Sequence, residues 1–164
     1  MLRTKNLSRF NEDYKTYSKL VFGVSVHILL ATQEAEEVVQ EVFLKYAEEF
    51  DTVENPKYWL VRAATNKSID KHRRRKTFRN YADKVVNSVR TAFITISTRS
   101  AVKKELRGIL ESLNEKDRSL LTLKLGHGYQ YEEIAEILGI PEGSVKSALS
   151  RLLKRLKDQR GSQE

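Results

Sequence analysis

The chain of 164 residues contains no cysteine, which removes a disulfide framework, a thiolate metal site and a cysteine nucleophile together. A reducing interior suits such a chain. With only two prolines and seven glycines, long and seldom broken helices are expected, and the fold class should be all-α. No apolar run approaches the roughly 20 residues that cross a bilayer, and the opening MLRTKNLSRFNEDYK lacks the apolar centre of a secretion signal. The simplest expectation is a cytoplasmic protein without a membrane span. His27, His72 and His127 are scattered and no glycine-rich phosphate loop is present, so no catalytic residue, metal site or cofactor is expected.

What the chain does have is charge, unevenly spread. Its 30 Lys and Arg against 22 Asp and Glu leave +8, which makes a polyanion, nucleic acid first, the candidate partner. Between Thr32 and Glu54 the balance inverts, with eight acids against Lys45 alone. Between Asn66 and Arg79 it inverts again, with seven cations and a single acid, Asp70. An acidic helix beside a basic, aromatic-bearing one suggests two different customers, one a protein and one a nucleic acid. A merely solvated acidic face is the plainer alternative.

Periodicity places these charges on helices. From Asn11 to Ala31 apolar residues recur at three and four (Tyr14, Tyr17, Leu20, Val21, Val24, Ile28, Leu29), giving a helix with one buried stripe. Thr32 with Glu34, Glu36 and Glu37 opens a second helix whose Val38, Val39, Val42, Phe43, Tyr46 and Phe50 face a core. Asn55-Pro56 marks a turn, and a third helix runs from Lys57 to Lys76 with Trp59 mostly in the core. Residues 78–104 read as a linker holding one short helix, so the expected division is 1–78, a linker 79–104, and 105–164. In the last part Asn114 is the expected N-cap of a helix through Leu120, Leu121, Leu123 and Leu125 that ends at Gly126 and Gly128.

The stretch YEEIAEILGIPEGSVKSALSRLLKRLK, Tyr131 to Lys157, reads as two short amphipathic helices joined by a tight turn. Ala135 is small where the helices would cross, Gly139 suits the positive φ of a helix end, and Pro141 suits the first turn of the next helix. Ser144, Ser147 and Ser150 near the start of the second helix, with Lys146, Arg151, Lys154 and Arg155, suit a helix that enters a major groove and grips phosphates. Two surface helices with a solvated basic face are the bland reading of the same pattern.

Taken together, EAEEVVQEVFLKYAEEF, YWLVRAATNKSIDKHRRRK and LESLNEKDRSLLTLKLGHGYQYEEIAEILGIPEGSVKSALSRLLKRL resemble the extracytoplasmic-function (ECF) group of sigma-70 family sigma factors, over roughly Tyr14 to Lys157. The resemblance implies two small helical domains, a region 2-like bundle and a region 4-like helix-turn-helix domain. It implies that Glu37, Gln40, Glu41 and Leu44 dock on the clamp helices of the beta-prime subunit of core RNA polymerase. It further implies that Asn66 reads a flipped base of the "-10" promoter element, with Lys67, Lys71, Arg73 and Arg74 on the strand's phosphates. Lys146, Ser147, Ser150 and Arg151 match positions that enter the "-35" major groove, Ser144 is expected to bind DNA with them, and Lys154 and Arg155 suit its phosphates. The beta subunit flap and an anti-sigma factor are further implied partners. Ala148 and Ser150 are small where many members carry bulkier readers, so the promoter sequence stays open. The alternatives are a helix-turn-helix regulator that acts without polymerase, which leaves the acidic helix unexplained, and an enzyme acting on nucleic acid, for which no constellation exists.

Overall fold

The structure, a computed structural model, describes residues 2–82 and 107–161, with side chains placed for 7–49, 51–75 and 107–158. Among the described residues it is helical throughout, with no strand. Helix α1 spans Leu2–Leu29, α2 Thr32–Glu49 and α3 Pro56–Ala82, and the three pack pairwise into a bundle. The stripe expected on α1 is buried at Val21, Val24, Ile28 and Leu29, whereas Tyr14 is 46 % exposed and only lays its ring edge on Phe43, 4.8 Å between centroids. Ser25, fully buried on the same helix, donates to the Val21 carbonyl at 2.8 Å, which removes the cost of a lone hydroxyl in a core.

The α1–α2 corner is sharp because Leu30 takes φ +55°, a left-handed value that a leucine adopts at a cost of about 1–2 kcal/mol. Helix α2 opens at Thr32, as expected. The carbonyl of Ala31 accepts the first backbone bond, from Ala35, so Thr32 already lies inside the helix, with Glu34 in the first turn. Ala35, Val38, Val39, Val42, Phe43 and Tyr46 are buried at the expected spacing, while the Phe50 side chain lies outside the described residues. The turn at Asn55-Pro56 is a cap: Asn55 accepts from the Tyr58 backbone at 3.1 Å and proline opens the helix, where no N–H is needed. Trp59 is half-buried, its ring 5.5 Å from that of Tyr46.

Arg75 ties α3 to the other two helices. Its guanidinium donates to the Leu29 carbonyl at 3.1 Å and to both Glu34 carboxylate oxygens at 3.1 and 3.2 Å, so the C-terminus of α1 and the first turn of α2 share one cation.

After a helical segment at 107–111, Asn114 caps α4 (Glu115–Leu121), accepting from the Asp117 backbone at 2.9 Å as its sequence position predicts. The helix then widens into a single π-type turn over Thr122–Gly126, and Leu125, expected on the apolar run, is 67 % exposed as a result. Gly128, at φ +71°, lets the chain reverse so that the Tyr129 N–H reaches the Leu123 carbonyl at 3.0 Å. Helices α5 (Tyr131–Leu138) and α6 (Glu142–Gly161) complete the chain. Of the expected linker 79–104, residues 79–82 continue α3 and the rest lies outside the described residues.

The two ends of the chain share one apolar core, in which Val21, Ile28 and Leu60 belong to the same cluster as Leu120, Leu123 and Tyr129. Gly23, in the middle of α1, faces the second half, and a Cβ placed there would meet His127 Cε1 at an ordinary 3.8 Å. Gly23→Ala should therefore raise stability by about 0.5–1 kcal/mol through reduced backbone entropy, measured by urea unfolding, with no loss of packing.

Candidate functional site

On α2 the inward and outward faces separate cleanly. Glu37, Gln40, Glu41 and Leu44 all point to solvent, and Leu44 is 70 % exposed, an apolar side chain set among acids. A large exposed leucine inside a charged rim has the composition of a docking surface, since desolvating the leucine contributes affinity while the acids select the partner.

Helix α3 lies beside that ridge, and here the structure adds what linear charge counting missed. Lys67 forms an ion pair with Glu41, and Lys71 pairs with Glu37 and, at 3.7 Å, with Glu41. The Lys67 hydrogen bond holds the Glu41 carboxyl below its usual value. At Lys71 partial burial pulls the ammonium down, but Glu37, Glu41 and Glu34 outweigh it and the net shift is upward. The four groups expected to serve two different partners are thus each other's counterions. Lys67, Glu37 and Glu41 are exposed enough that the pairs contribute little to stability.

Asn66 is exposed at the rim of a cleft of about 390 Å³ between α2 and α3, with Trp59, Arg62, Lys67 and Asp70 among its walls. An amide, a half-buried indole and cations around one concavity can hydrogen-bond, stack and neutralise, the three demands of an unstacked base with its phosphate. Arg62 was not singled out from sequence, although it lies one helical turn before Asn66, and that spacing is the signal that finds it. Arg73 and Arg74 are exposed further along α3, with Arg73 meeting Glu115 at 3.5 Å. At the start of the helix the Lys57 ammonium stands 5.8 Å from the Tyr129 ring, and burial, followed by the nearby Glu136 carboxylate of α5, pushes the Tyr58 phenol up.

The helix-turn-helix is built as its sequence suggests. Gly139 takes φ +65°, and the Ile140 and Gly139 N–H groups reach back to Ala135 at 3.0 Å and Glu136 at 3.3 Å, which closes α5 and turns the chain. Pro141 stands just before α6, its carbonyl accepting from Ser144 and Val145, so it acts as the cap. A reciprocal capping box between Gln130 and Glu133 starts α5. Ile134, Ile137, Val145, Leu149 and Leu152 are buried, which turns Ser144, Lys146, Ser147, Ser150, Arg151, Lys154 and Arg155 outward together. Local bonds hold several of them: Lys146 to Glu142 at 2.7 Å, Arg151 Nε to the Ser147 carbonyl at 3.3 Å, and Arg155 to Asp117 of α4 at 2.7 Å. The Glu142 bond raises the Lys146 ammonium above its usual value.

The described residues hold no cluster of histidines and carboxylates fit for a metal ion, and no described helix is long and apolar enough to cross a membrane. Residues 14–78 match the family described as sigma-70 region 2, and residues 103–156 match sigma-70, region 4. The chain is 27 % identical to the ECF RNA polymerase sigma factor SigW of Bacillus subtilis (strain 168), over 87 % of this chain and 86 % of that protein. It is 25 % identical to SigX of the same organism, over 88 % and 79 %. In fold it is similar to the sigma factor RpoE of Bartonella quintana, solved in complex with the anti-sigma factor NepR (TM-score 0.72, 22 % identity, 92 % of this chain and 95 % of that one). It is similar also to CnrH, solved with the cytosolic domain of CnrY (TM-score 0.66, 18 % identity, 94 % and 89 %). With both regions present in order on one helical chain, and each with its outward face intact, this protein belongs to the sigma-70 family of RNA polymerase sigma factors, in the ECF group.

Proposed function

We propose that this chain binds core RNA polymerase and directs it to promoters, with residues 1–78 engaging the polymerase and the "-10" element, 105–164 the "-35" element, and 79–104 connecting them. The observation that carries this reading is the acidic, leucine-bearing ridge of α2 in the same molecule as two separate outward cationic faces, on α3 and α6. A regulator that acted on DNA alone would gain nothing from the ridge, which DNA repels.

Glu37, Gln40, Glu41 and Leu44 take the beta-prime clamp helices, and the helix-turn-helix domain also meets the beta flap. Asn66 reads an unstacked base in the α2–α3 cleft, while Lys67, Lys71, Arg73 and Arg74 follow its strand. Ser144, Lys146, Ser147, Ser150 and Arg151 read the "-35" groove, and Lys154 and Arg155 hold phosphates. The chain works in the cytoplasm without catalysis of its own, since the polymerase supplies the chemistry. An anti-sigma factor holds the chain in check when initiation is not wanted, by analogy with RpoE, which was solved in complex with the anti-sigma factor NepR.

Run-off transcription with core polymerase on genomic fragments tests the reading: starts at a discrete promoter set support it. Tight operator binding without polymerase, together with no transcripts in its presence, rejects it. Within the second half, Arg151→Ala should cost about 1–3 kcal/mol of discrimination between matched and altered "-35" sequences, measured by competition with the assembled holoenzyme. A loss equal for every sequence would place Arg151 on phosphate alone.

A further inference from the structure

All three histidines of the chain stand where the first half meets the second. His72 of α3 receives a hydrogen bond on Nε2 from the Arg118 guanidinium of α4 at 2.7 Å, and its Nδ1 stands 3.7 Å from Glu115. Arg118 is only 4 % exposed. His127 projects from the loop before α5 toward Gly23 and His27, which are one helical turn apart on α1, and its Nε2 is buried without a partner. Around these rings the two halves also share Arg73 with Glu115 and Lys57 with the Tyr129 ring.

We infer that this seam is an acid-released latch, holding the two halves together while the three imidazoles are neutral and letting them part when the rings take up protons. At His72 the reason is directional. A guanidinium has donors and no acceptor, so the Arg118 contact requires a lone pair on Nε2; a proton there sets N–H against N–H beside a buried cation. Beside His72 stand Arg118 and Glu115, the latter shared with Arg73, while Arg75 and Glu111 act on Arg118. Glu115, which favours the protonated ring, is shared with Arg73.

At the other end of the seam burial disfavours charge on both rings, and His127 also meets the fields of His27 on α1 and Lys57 on α3. Among the described residues, no acid is among the groups that shift either ring. The sign follows. Both rings sit below the ordinary histidine value when the halves are closed and regain about 6.5 when exposed, so the open form binds more protons. Closure is undisturbed above about pH 6.5 and weakens as pH falls below it. Ordinary carboxylates titrate near 4, which leaves a window around pH 5.5 where imidazoles respond and carboxylates do not.

The latch itself does not depend on the sigma-factor reading, but its use does: on that reading closure engages Arg73 of the "-10" contacts, and acid frees it. The test is the distance between halves in the whole chain. Lys15→Cys and Lys116→Cys, both exposed, take a fluorescent donor and acceptor, and no native cysteine competes. Energy transfer should fall between pH 7.5 and 5.5 as the open-to-closed ratio rises, while circular dichroism stays helical. The same labels in His27→Gln/His72→Gln/His127→Gln should report closure at both pH values, because glutamine offers Arg118 a carbonyl and takes no proton. Should that variant misfold, His72→Gln alone must lower the opening midpoint. Transfer that is constant with pH in the native chain overturns the latch, as does opening that persists in the histidine variants or that coincides with loss of helix. None of these readouts involves polymerase or DNA, so failure here leaves the proposed function standing, and failure of run-off transcription leaves the latch standing.

Discussion

A chain carrying Glu37→Arg and Glu41→Arg should lose core polymerase binding by roughly a hundredfold or more, while keeping its helical content. Reversing a charge at a docking face replaces attraction by repulsion, and truncating even one partner of an interfacial charge pair costs about 2–5 kcal/mol. Both side chains are exposed on α2, so the core beneath them is untouched. The substitutions also take the counterions from Lys67 and Lys71 and set cations beside them. Because the native pairs are exposed, the lost attraction should cost no more than about 1 kcal/mol each. Fluorescence anisotropy with labelled core polymerase, alongside thermal melts, separates the two effects. Unchanged polymerase affinity with a lowered melting temperature would make the ridge structural and remove it from docking.

The larger effect on stability belongs to Tyr46. It is fully buried, with its ring among Phe10, Phe43 and Trp59 at 6.1, 6.3 and 5.5 Å, and its hydroxyl donates to Asp13 at 2.6 Å. Burial, then the Asp13 hydrogen bond, push its phenol well above the ordinary tyrosine range, so it stays a donor at any working pH. Tyr46→Ala should cost about 3–5 kcal/mol, the usual loss when a buried aromatic leaves a cavity. Tyr46→Phe keeps the ring and forfeits the bond to a charged acceptor, worth about 1.5–3 kcal/mol, with Arg9 still 4.0 Å from Asp13 to limit the damage. Urea unfolding of both variants reads the difference. Equal losses would mean that the hydroxyl rather than the ring anchors α2 to α1.

The pattern of these results shows what a linear reading can reach. Buried α2 positions, the Asn114 cap and the left-handed Gly139 follow from local rules, because spacing and backbone preference are written within a few residues. Which outward residues share a face follows too, since α6 has one apolar stripe and the rest must point away. Cap detail at Ala31 and the wide turn at Thr122–Gly126 escaped, as neither has a distinctive residue signature. What could not be read at all were partners far apart in the chain. Lys71 meets Glu37 across 34 positions, and Arg118 meets His72 across 46. Each side chain was assigned a role from its own helix, while its immediate neighbour was set by how the helices pack.

That neighbourhood on α2 and α3 alters how promoter binding should answer to ionic strength. Each lysine that takes over a phosphate lets a condensed cation escape from DNA, and a single strand gives a logarithmic slope of about 0.7 per contact. Lys67 and Lys71 already have carboxylates to satisfy. Unless the polymerase draws those carboxylates away first, they displace few ions, and the slope should be shallower than the lysines and arginines on α3 would give if every one met a phosphate.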